Sequence, residues 1–418
     1  MNICILADRI PPEGRGGGER AAWQDACALA QAGHTVSVIA TTARLVQGVE
    51  EQVVDGVHIF YIHSAYHERW RAWRSLYNPS CVGAVRAILA RVRPDIVHAH
   101  NIHFHLSYHS LYLAKKSGAK VFLTAHDVML FHYGKLLEFI DPAHPVCTKE
   151  WDYHVSVWQK IKRFRWRYNP LRQTIIRFYL RSVDTLFSVS DALRQALVQN
   201  GMPNSTVLYT GISLADWDVR PEVVSAFRAH HALDGRLVIL FGGRITATKG
   251  GEVMLAALAE AVKTEPRALL LIAGVRDAYV ERLEQKAHVL GIQDNIVCTG
   301  WLDGDALRAA YHAADVVVMP SVCFDTFGLV LLEAFACSKP VIASCFGGAV
   351  EIVRDTENGY IINPYDIPAF TSALMKLLAD ESKRIRFGAA GRARVEQHFS
   401  CAQHVAVLEK HYQDNLSV

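Results

Sequence analysis

Apolar runs and helical stripes alternate along this chain in two successive series, which restricts it to a sheet whose strands are joined by crossover helices. In the first series Ile3 to Ala7 is apolar, Trp23, Ala26, Cys27 and Ala30 follow at helical spacing, and Thr35 to Ala40 is β-branched again after Ala32-Gly33-His34. That is a βαβ unit. Further strands are expected at Val57 to Ile62, Ile96 to His100, Lys120 to Ala125, Thr185 to Val189 and Val207 to Tyr209. A polar pause follows Asp216 and Pro221. The second series then runs Leu237 to Phe241, Leu269 to Ala273, Ile296 to Thr299, Val316 to Met319, Pro340 to Ala343 and Tyr360 to Ile362. Between these runs lie the stripes Met254, Ala257, Leu258, Ala261 and Leu307, Ala310, Tyr311, Ala314. Such alternation predicts parallel sheets covered on both faces. The fold class is α/β: two tandem doubly wound, Rossmann-like domains facing a cleft. Residues 1–215 form the first and 216–400 the second, and a last helix in 401–418 can cross back onto the first.

Length agrees, since 418 residues exceed the roughly 100 to 200 of one domain. Lys plus Arg minus Asp plus Glu is 44 − 41 = +3, too balanced for a nucleic-acid footprint. Nine cysteines contain no C-x-x-C pair, so neither a zinc knuckle nor a redox motif is readable. The start, Met1 to Ala7 then Asp8 and Arg9, lacks the basic opening of a signal peptide, and no run reaches the ~18 apolar residues of a membrane span. The expected location is cytoplasmic, with peripheral contact on the inner membrane face left open.

Ligands of open α/β sheets bind outside the carboxyl ends of the strands, and the unusual residues gather there. After the first strand, Pro11-Pro12-Glu13-Gly14-Arg15-Gly16-Gly17-Gly18 leads into a helix beginning near Glu19. Glycines and a helix N-terminus suit an anion, although a loop with no ligand reads the same way. Glu19 stands where a G-x-G-x-x-G fingerprint needs its third glycine, so the dinucleotide reading fails. The second domain opens with Gly242-Gly243-Arg244, followed by Lys249-Gly250. Two cations at the mouth of a sheet can neutralise a diphosphate without a metal, Arg by paired hydrogen bonds and Lys as a point charge.

Pro320 to Ala334 holds two carboxylates, Asp325 in a loop and Glu333 on the following helix. Eight residues at helical rise separate them by about 12 Å at most along the axis. A glycosidase pair sits about 5 to 9.5 Å apart, so an extended ligand, hydroxyls at its ends and phosphates between, fits better. Five histidines crowd at His98, His100, His103, His105 and His109, with no Cys, Asp or Glu among them, which weighs against zinc. From Trp158 to Arg181 the chain carries Lys160, Lys162, Arg163, Arg165, Arg167, Arg172, Arg177 and Arg181 with no acid, interleaved with Phe164, Trp166, Tyr168, Phe178 and Tyr179; Trp70-Arg71-Ala72-Trp73-Arg74 echoes it. Such a surface suits an anionic membrane, an acidic-acceptor groove or plain solvation.

Gly17-Gly18, Arg244 with Lys249, the Asp325 to Glu333 segment, and Lys339-Pro340-Val341-Ile342-Ala343-Ser344 leading to Gly347-Gly348-x-x-Glu351 together resemble the retaining glycosyltransferases of family 4, which have the GT-B fold. The resemblance spans essentially the whole chain and is most specific from Arg244 to Glu351. It implies a nucleoside-diphosphate sugar as donor, held mainly by the second domain, and a sugar, lipid-linked or small-molecule acceptor on the first. Carried over, Arg244 and Lys249 hold the diphosphate, Glu333 the ribose, Asp325 the transferred sugar, and the amides of Phe327, Gly328 and Leu329 the phosphate and sugar. Gly17 and Gly18 close on the donor from the other side, and His126, after the strand Lys120 to Ala125, resembles the family's histidine at the sugar face. The family pattern usually has Glu where Asp325 stands, which bears on donor identity. No cofactor and no metal are expected, and Asp303-Gly304-Asp305 reads as a helix-start cap. The reading is a metal-independent, retaining hexosyltransferase. Its rivals are a sugar-nucleotide epimerase of the same fold, which needs no acceptor, and a non-catalytic sugar-nucleotide or membrane-surface binding protein.

Overall fold

The computed structural model describes residues 1–14, 16–148 and 150–417. The chain divides into two compact units, one of Met1–Glu138, Asp152–Thr210 and Cys401–Val418, the other of Phe139–Trp151 and Gly211–Ser400. This differs from the expected 1–215 and 216–400 in two places. The boundary follows Thr210, and Phe139–Trp151 belongs with the second unit, where Phe139 meets Phe324 and Phe346 edge-on and Trp151 meets Phe346.

In the first unit, among the described residues, eight strands form one sheet in the order β3-β4-β2-β1-β5-β6-β7-β8. They are β1 Asn2–Ala7, β2 Thr35–Thr42, β3 Val49–Val54, β4 Val57–His63, β5 Ile96–His100, β6 Lys120–Ala125, β7 Thr185–Ser188 and β8 Thr206–Val207. All pairs are parallel except β3 with β4, which corrects the all-parallel expectation. Ala22, Ala26 and Leu29 of the Gly17–Gln31 helix, at i, i+4 and i+7, pack on Ile3, Ile5 and Ala7. Val405, Leu408 and Tyr412 of the Cys401–Leu416 helix enter the same core. The order reverses between β1 and β5, whose register pairs Ala7 with His100. The chain therefore leaves both strands at one level, at the point where doubly wound sheets bind ligands.

The second unit carries β9 Leu237–Gly242, β10 Ala268–Ala273, β11 Ile296–Gly300, β12 Val316–Met319, β13 Val341–Ser344 and β14 Gly359–Ile362, all parallel, in the order β11-β10-β9-β12-β13-β14. Met254, Ala257, Leu258 and Ala261 of the Gly251–Val262 helix cover one face, as their spacing predicts. Here the reversal falls between β9 and β12.

Candidate functional site

Each unit gathers candidate residues at its own reversal point. In the second unit the chain leaves β9 through Gly243, at φ 109°, and makes a 3₁₀ turn over Ala247–Lys249. A Cβ on Gly250 would lie 1.9 Å from the Pro320 carbonyl oxygen, so only glycine lets this turn meet the segment leaving β12. The Val322 amide donates to the Thr248 carbonyl at 2.9 Å and ties the two loops. Lys249 and Asp325 consequently meet: the Lys249 ammonium donates to Asp325 Oδ2, and Ser321 Oγ donates to the same oxygen at 3.0 Å. The Asp325 backbone is pinned as well, its amide to Phe346 O at 3.0 Å and its carbonyl from the Gly348 amide at 2.8 Å. Gly347, at φ 103°, would place a Cβ 2.1 Å from that carbonyl. Burial alone would lower the Lys249 amine, but the Asp325 carboxylate outweighs it and raises it. Lys249 is thus partly buried in an ion pair with Asp325. Arg244 is exposed and, among the described residues, has no ion-pair partner.

Gly328, at φ 101°, starts the Leu329–Ala336 helix, and Phe327 beneath it packs on Phe399. Glu333 is 3% exposed, and the Tyr311 hydroxyl donates to its Oε2. That bond answers the cost of a lone carboxylate among apolar neighbours. Tyr311 is in turn held edge-on by Trp217, 5.1 Å between centroids. Asp303 stands at the N-cap of the Gly304–Ala313 helix but makes no capping side-chain bond, so the cap expectation is met in position only.

In the first unit the helix begins at Gly17, earlier than expected, and the Glu19 carboxylate accepts the Gly16 amide at 2.6 Å. An acid at this terminus weakens the case for an anion there. A Cβ on Gly18 would lie 2.5 Å from Asn101 Nδ2 and 3.0 Å from His126 Cγ, so Gly18 lies directly against His126. His126 Nε2 shares a 2.9 Å hydrogen bond with His100 Nδ1, and burial pulls the His126 imidazole down to about 4. At neutral pH it is uncharged.

An acid does lie among the histidines: Asp25, from the Gly17–Gln31 helix, comes with His98 and His100 into a cluster whose ligand atoms all lie within 4.8 Å. The donors are largely spoken for. His98 bonds the Tyr412 hydroxyl and Thr124 Oγ1, both at 2.7 Å, and Asp25 Oδ1 bonds His404 Nε2 at 2.9 Å. The set forms a hydrogen-bonded network rather than a vacant ligand set. His103 faces Asp127 at 3.4 Å, His105 bonds Ser64 Oγ at 3.0 Å and His109 bonds the Tyr179 hydroxyl at 3.2 Å, so the five histidines share no single site. Asp8, which sequence reasoning passed over, leaves β1 buried and accepts the amides of Phe104, His105 and Leu106 at 2.6 to 2.7 Å, while burial pushes it up to about 7.

Two cations of the basic segment are not solvated. Lys160 is buried beside Phe131 with its amine pulled down to about 8, and Arg172 donates to the Met129 and His132 carbonyls. Arg163 pairs with Glu138, an acid from outside the segment. Lys162, Arg165 and Arg167 remain exposed, with Trp158 at 79% and Trp166 at 71%. Asn169 Nδ2 donates to the Ala72 carbonyl at 3.2 Å, which ties the Trp70-to-Arg74 turn to this segment.

Residues 15–216 match the Glycosyltransferase Family 4 model and residues 224–394 the Glycosyl transferases group 1 model. The GDP-mannose-dependent alpha-(1-6)-phosphatidylinositol monomannoside mannosyltransferase of Mycolicibacterium smegmatis is 30% identical over 235 residues, 54% of this chain and 61% of its own length. The matched stretch thus spans less than two thirds of that relative. Among solved structures, the sucrose-phosphate synthase of Thermosynechococcus elongatus superposes with a TM-score of 0.76 over 99% of both chains at 22% identity. Anabaena HepE in complex with UDP-glucose gives 0.71 over 99% of both chains at 17% identity. These two share the fold.

Proposed function

From a chain that is a family-4-like glycosyltransferase of GT-B fold, we propose a metal-independent, retaining enzyme that moves a hexose-type sugar from a nucleoside diphosphate to an acceptor hydroxyl. The observation that carries this is the meeting of Lys249, Asp325 and Ser321 where β9 and β12 diverge, with Arg244 at the same strand end. A departing diphosphate gathers negative charge, and two preorganised cations stabilise it most in the transition state. The phosphate competes with Asp325 for Lys249, which frees the carboxylate to accept a sugar hydroxyl; one exchange thus couples diphosphate to sugar. Glu333, already aimed by Tyr311, accepts from ribose hydroxyls. The amides of Phe327, Gly328 and Leu329 face the phosphate and sugar. In the first unit, neutral His126 takes a hydroxyl of the transferred sugar, and Gly17 and Gly18 leave room beside it. No step requires a divalent ion.

The nucleotide-sugar donor is supported by HepE, which was solved with UDP-glucose, and by the mycobacterial relative, named for GDP-mannose. The exposed Trp158, Trp166, Lys162, Arg165 and Arg167 support peripheral contact with an anionic membrane, which suits a lipid-linked acceptor. No helix among the described residues is long and apolar enough to cross a membrane.

The test is donor turnover by Lys249→Ala and Arg244→Ala with UDP-glucose and GDP-mannose. Each variant is expected to lose about 10²- to 10³-fold in rate, as removal of one charge-stabilising donor does; Arg244→Ala should leave thermal unfolding unchanged, whereas Lys249→Ala should lower it because the buried Asp325 loses a close ion-pair partner. Near wild-type turnover at saturating donor refutes the diphosphate assignment.

A further inference from the structure

We propose that Asp25 and His100 are positioning residues that set which nitrogen of His126 carries the proton, leaving Nδ1 of His126 as the atom that accepts a hydroxyl. The inference rests on the proposed role of His126 at the sugar, and deepens it. β5 sends His98 and His100 to one face of the sheet, β6 runs out into His126, and the first helix turns Asp25 inward between Ala22 and Ala26. His100 and His126 stack with centroids 5.2 Å apart, and one hydrogen bond of 2.9 Å joins His100 Nδ1 to His126 Nε2. Burial holds both rings below the ordinary histidine range, so each carries one proton and only one proton lies between them.

The direction of that bond follows from the other end of His100. Its Nε2 is buried, has no hydrogen-bond partner, and lies 3.7 Å from Asp25 Oδ2. Burial would raise Asp25, but the facing His404 overrides it and keeps the carboxylate ionised. A carboxylate at this range favours an N–H over a lone pair on the nitrogen facing it. His100 therefore holds its proton on Nε2, and its Nδ1 accepts. His126 must donate from Nε2, and its lone pair falls on Nδ1. With Asp25 neutral, His100 is free to carry its proton on Nδ1, which reverses the bond and turns the hydroxyl-accepting atom into a donor. His404 bonds the Tyr209 carbonyl through Nδ1, so the C-terminal helix anchors the far end of this chain of bonds.

The experiment is ¹⁵N NMR of the full-length protein labelled at histidine, with His126 assigned by its loss in His126→Asn. In the wild type the His126 proton should be on Nε2; a proton on Nδ1 overturns the proposal without recourse to any variant. In Asp25→Asn the His126 signals should move toward the Nδ1–H form, and kcat for donor turnover should fall about tenfold, one hydrogen bond's worth, with donor KM little changed. An unchanged tautomer in a folded Asp25→Asn also overturns it. Should His126→Asn retain full turnover, the role of His126 at the sugar fails instead, whatever the tautomer.

Discussion

At the scale of residues, Arg244, Lys249, Asp325 and Glu333 were readable from sequence as candidates because charged types stand out beside apolar runs. Their partners were not. Tyr311 belongs to the stripe Leu307, Ala310, Tyr311, Ala314 and reads as core, yet its hydroxyl is what aims Glu333. Asp25 lies in the stripe Ala22, Ala26, Leu29, where a lone acid on an apolar face was the signal that could have found it. Tyr311→Phe removes the hydroxyl and leaves the ring against Trp217. It should weaken nucleoside diphosphate binding about tenfold through a less well-held Glu333 and destabilise the fold by about 1 to 3 kcal/mol, because a buried carboxylate loses a donor. Calorimetric titration with UDP and GDP checks the first, and urea unfolding the second; unchanged affinity for both nucleotides removes Glu333 from the ribose. Asp325→Glu reaches one methylene further and should shift preference within a panel of sugar nucleotides, and an unshifted ranking counts against contact between Asp325 and the sugar.

At the scale of elements, periodicity located most strands to within a residue or two, because buried parallel strands are near-continuous apolar runs. It missed β3, whose Glu50, Glu51 and Gln52 offer no apolar alternation; it is an antiparallel edge strand, held by ladder bonds to β4 rather than by burial. It also read the Pro221–His230 helix as a polar pause, since Phe227 is its only buried residue. The start of the first helix was placed late because Gly17 and Gly18 look like loop. Their position gives a prediction: Gly18→Ala pushes a methyl against His126 and Asn101 and should cut donor turnover with little change in unfolding temperature, as only the Asn101 tip can yield easily. Wild-type turnover in Gly18→Ala separates His126 from the reaction. The basic aromatic elements give another. Binding to vesicles containing anionic lipid should fall as salt rises, because charges more than about 8 Å apart are screened at physiological ionic strength. Replacing Lys162, Arg165 and Arg167 together by Gln should release the protein while turnover of soluble donor persists. A wild-type protein that never sediments with such vesicles at low salt refutes the membrane contact.

At the scale of the whole molecule, the doubly wound architecture followed from alternation alone, whereas the assignment of Phe139–Trp151 to the second unit rests on ring contacts between residues far apart in sequence. The buried histidines make stability depend on pH in a defined direction. His103, His105 and His126 are drawn down to about 4, and His98 and His100 are lowered well below the ordinary value, each chiefly by burial. A histidine whose folded pKa is depressed binds its proton more readily when unfolded, so its contribution is full above about 6.5 and is lost as pH falls toward 4. Asp8, pushed up to about 7, and His404, raised by Asp25, act the other way, and the five outnumber the two. The unfolding temperature should drop between pH 7 and pH 4.5, and a rise over that interval contradicts the account. The central claim, that two cations rather than a metal carry the departing diphosphate, is tested most directly by following UDP-glucose and GDP-mannose turnover by ¹H NMR in excess EDTA. Release of the nucleoside diphosphate, with the transferred or hydrolysed sugar first appearing as the α anomer, is the predicted result; turnover that requires added magnesium or manganese, or a β anomer as first product, would contradict it.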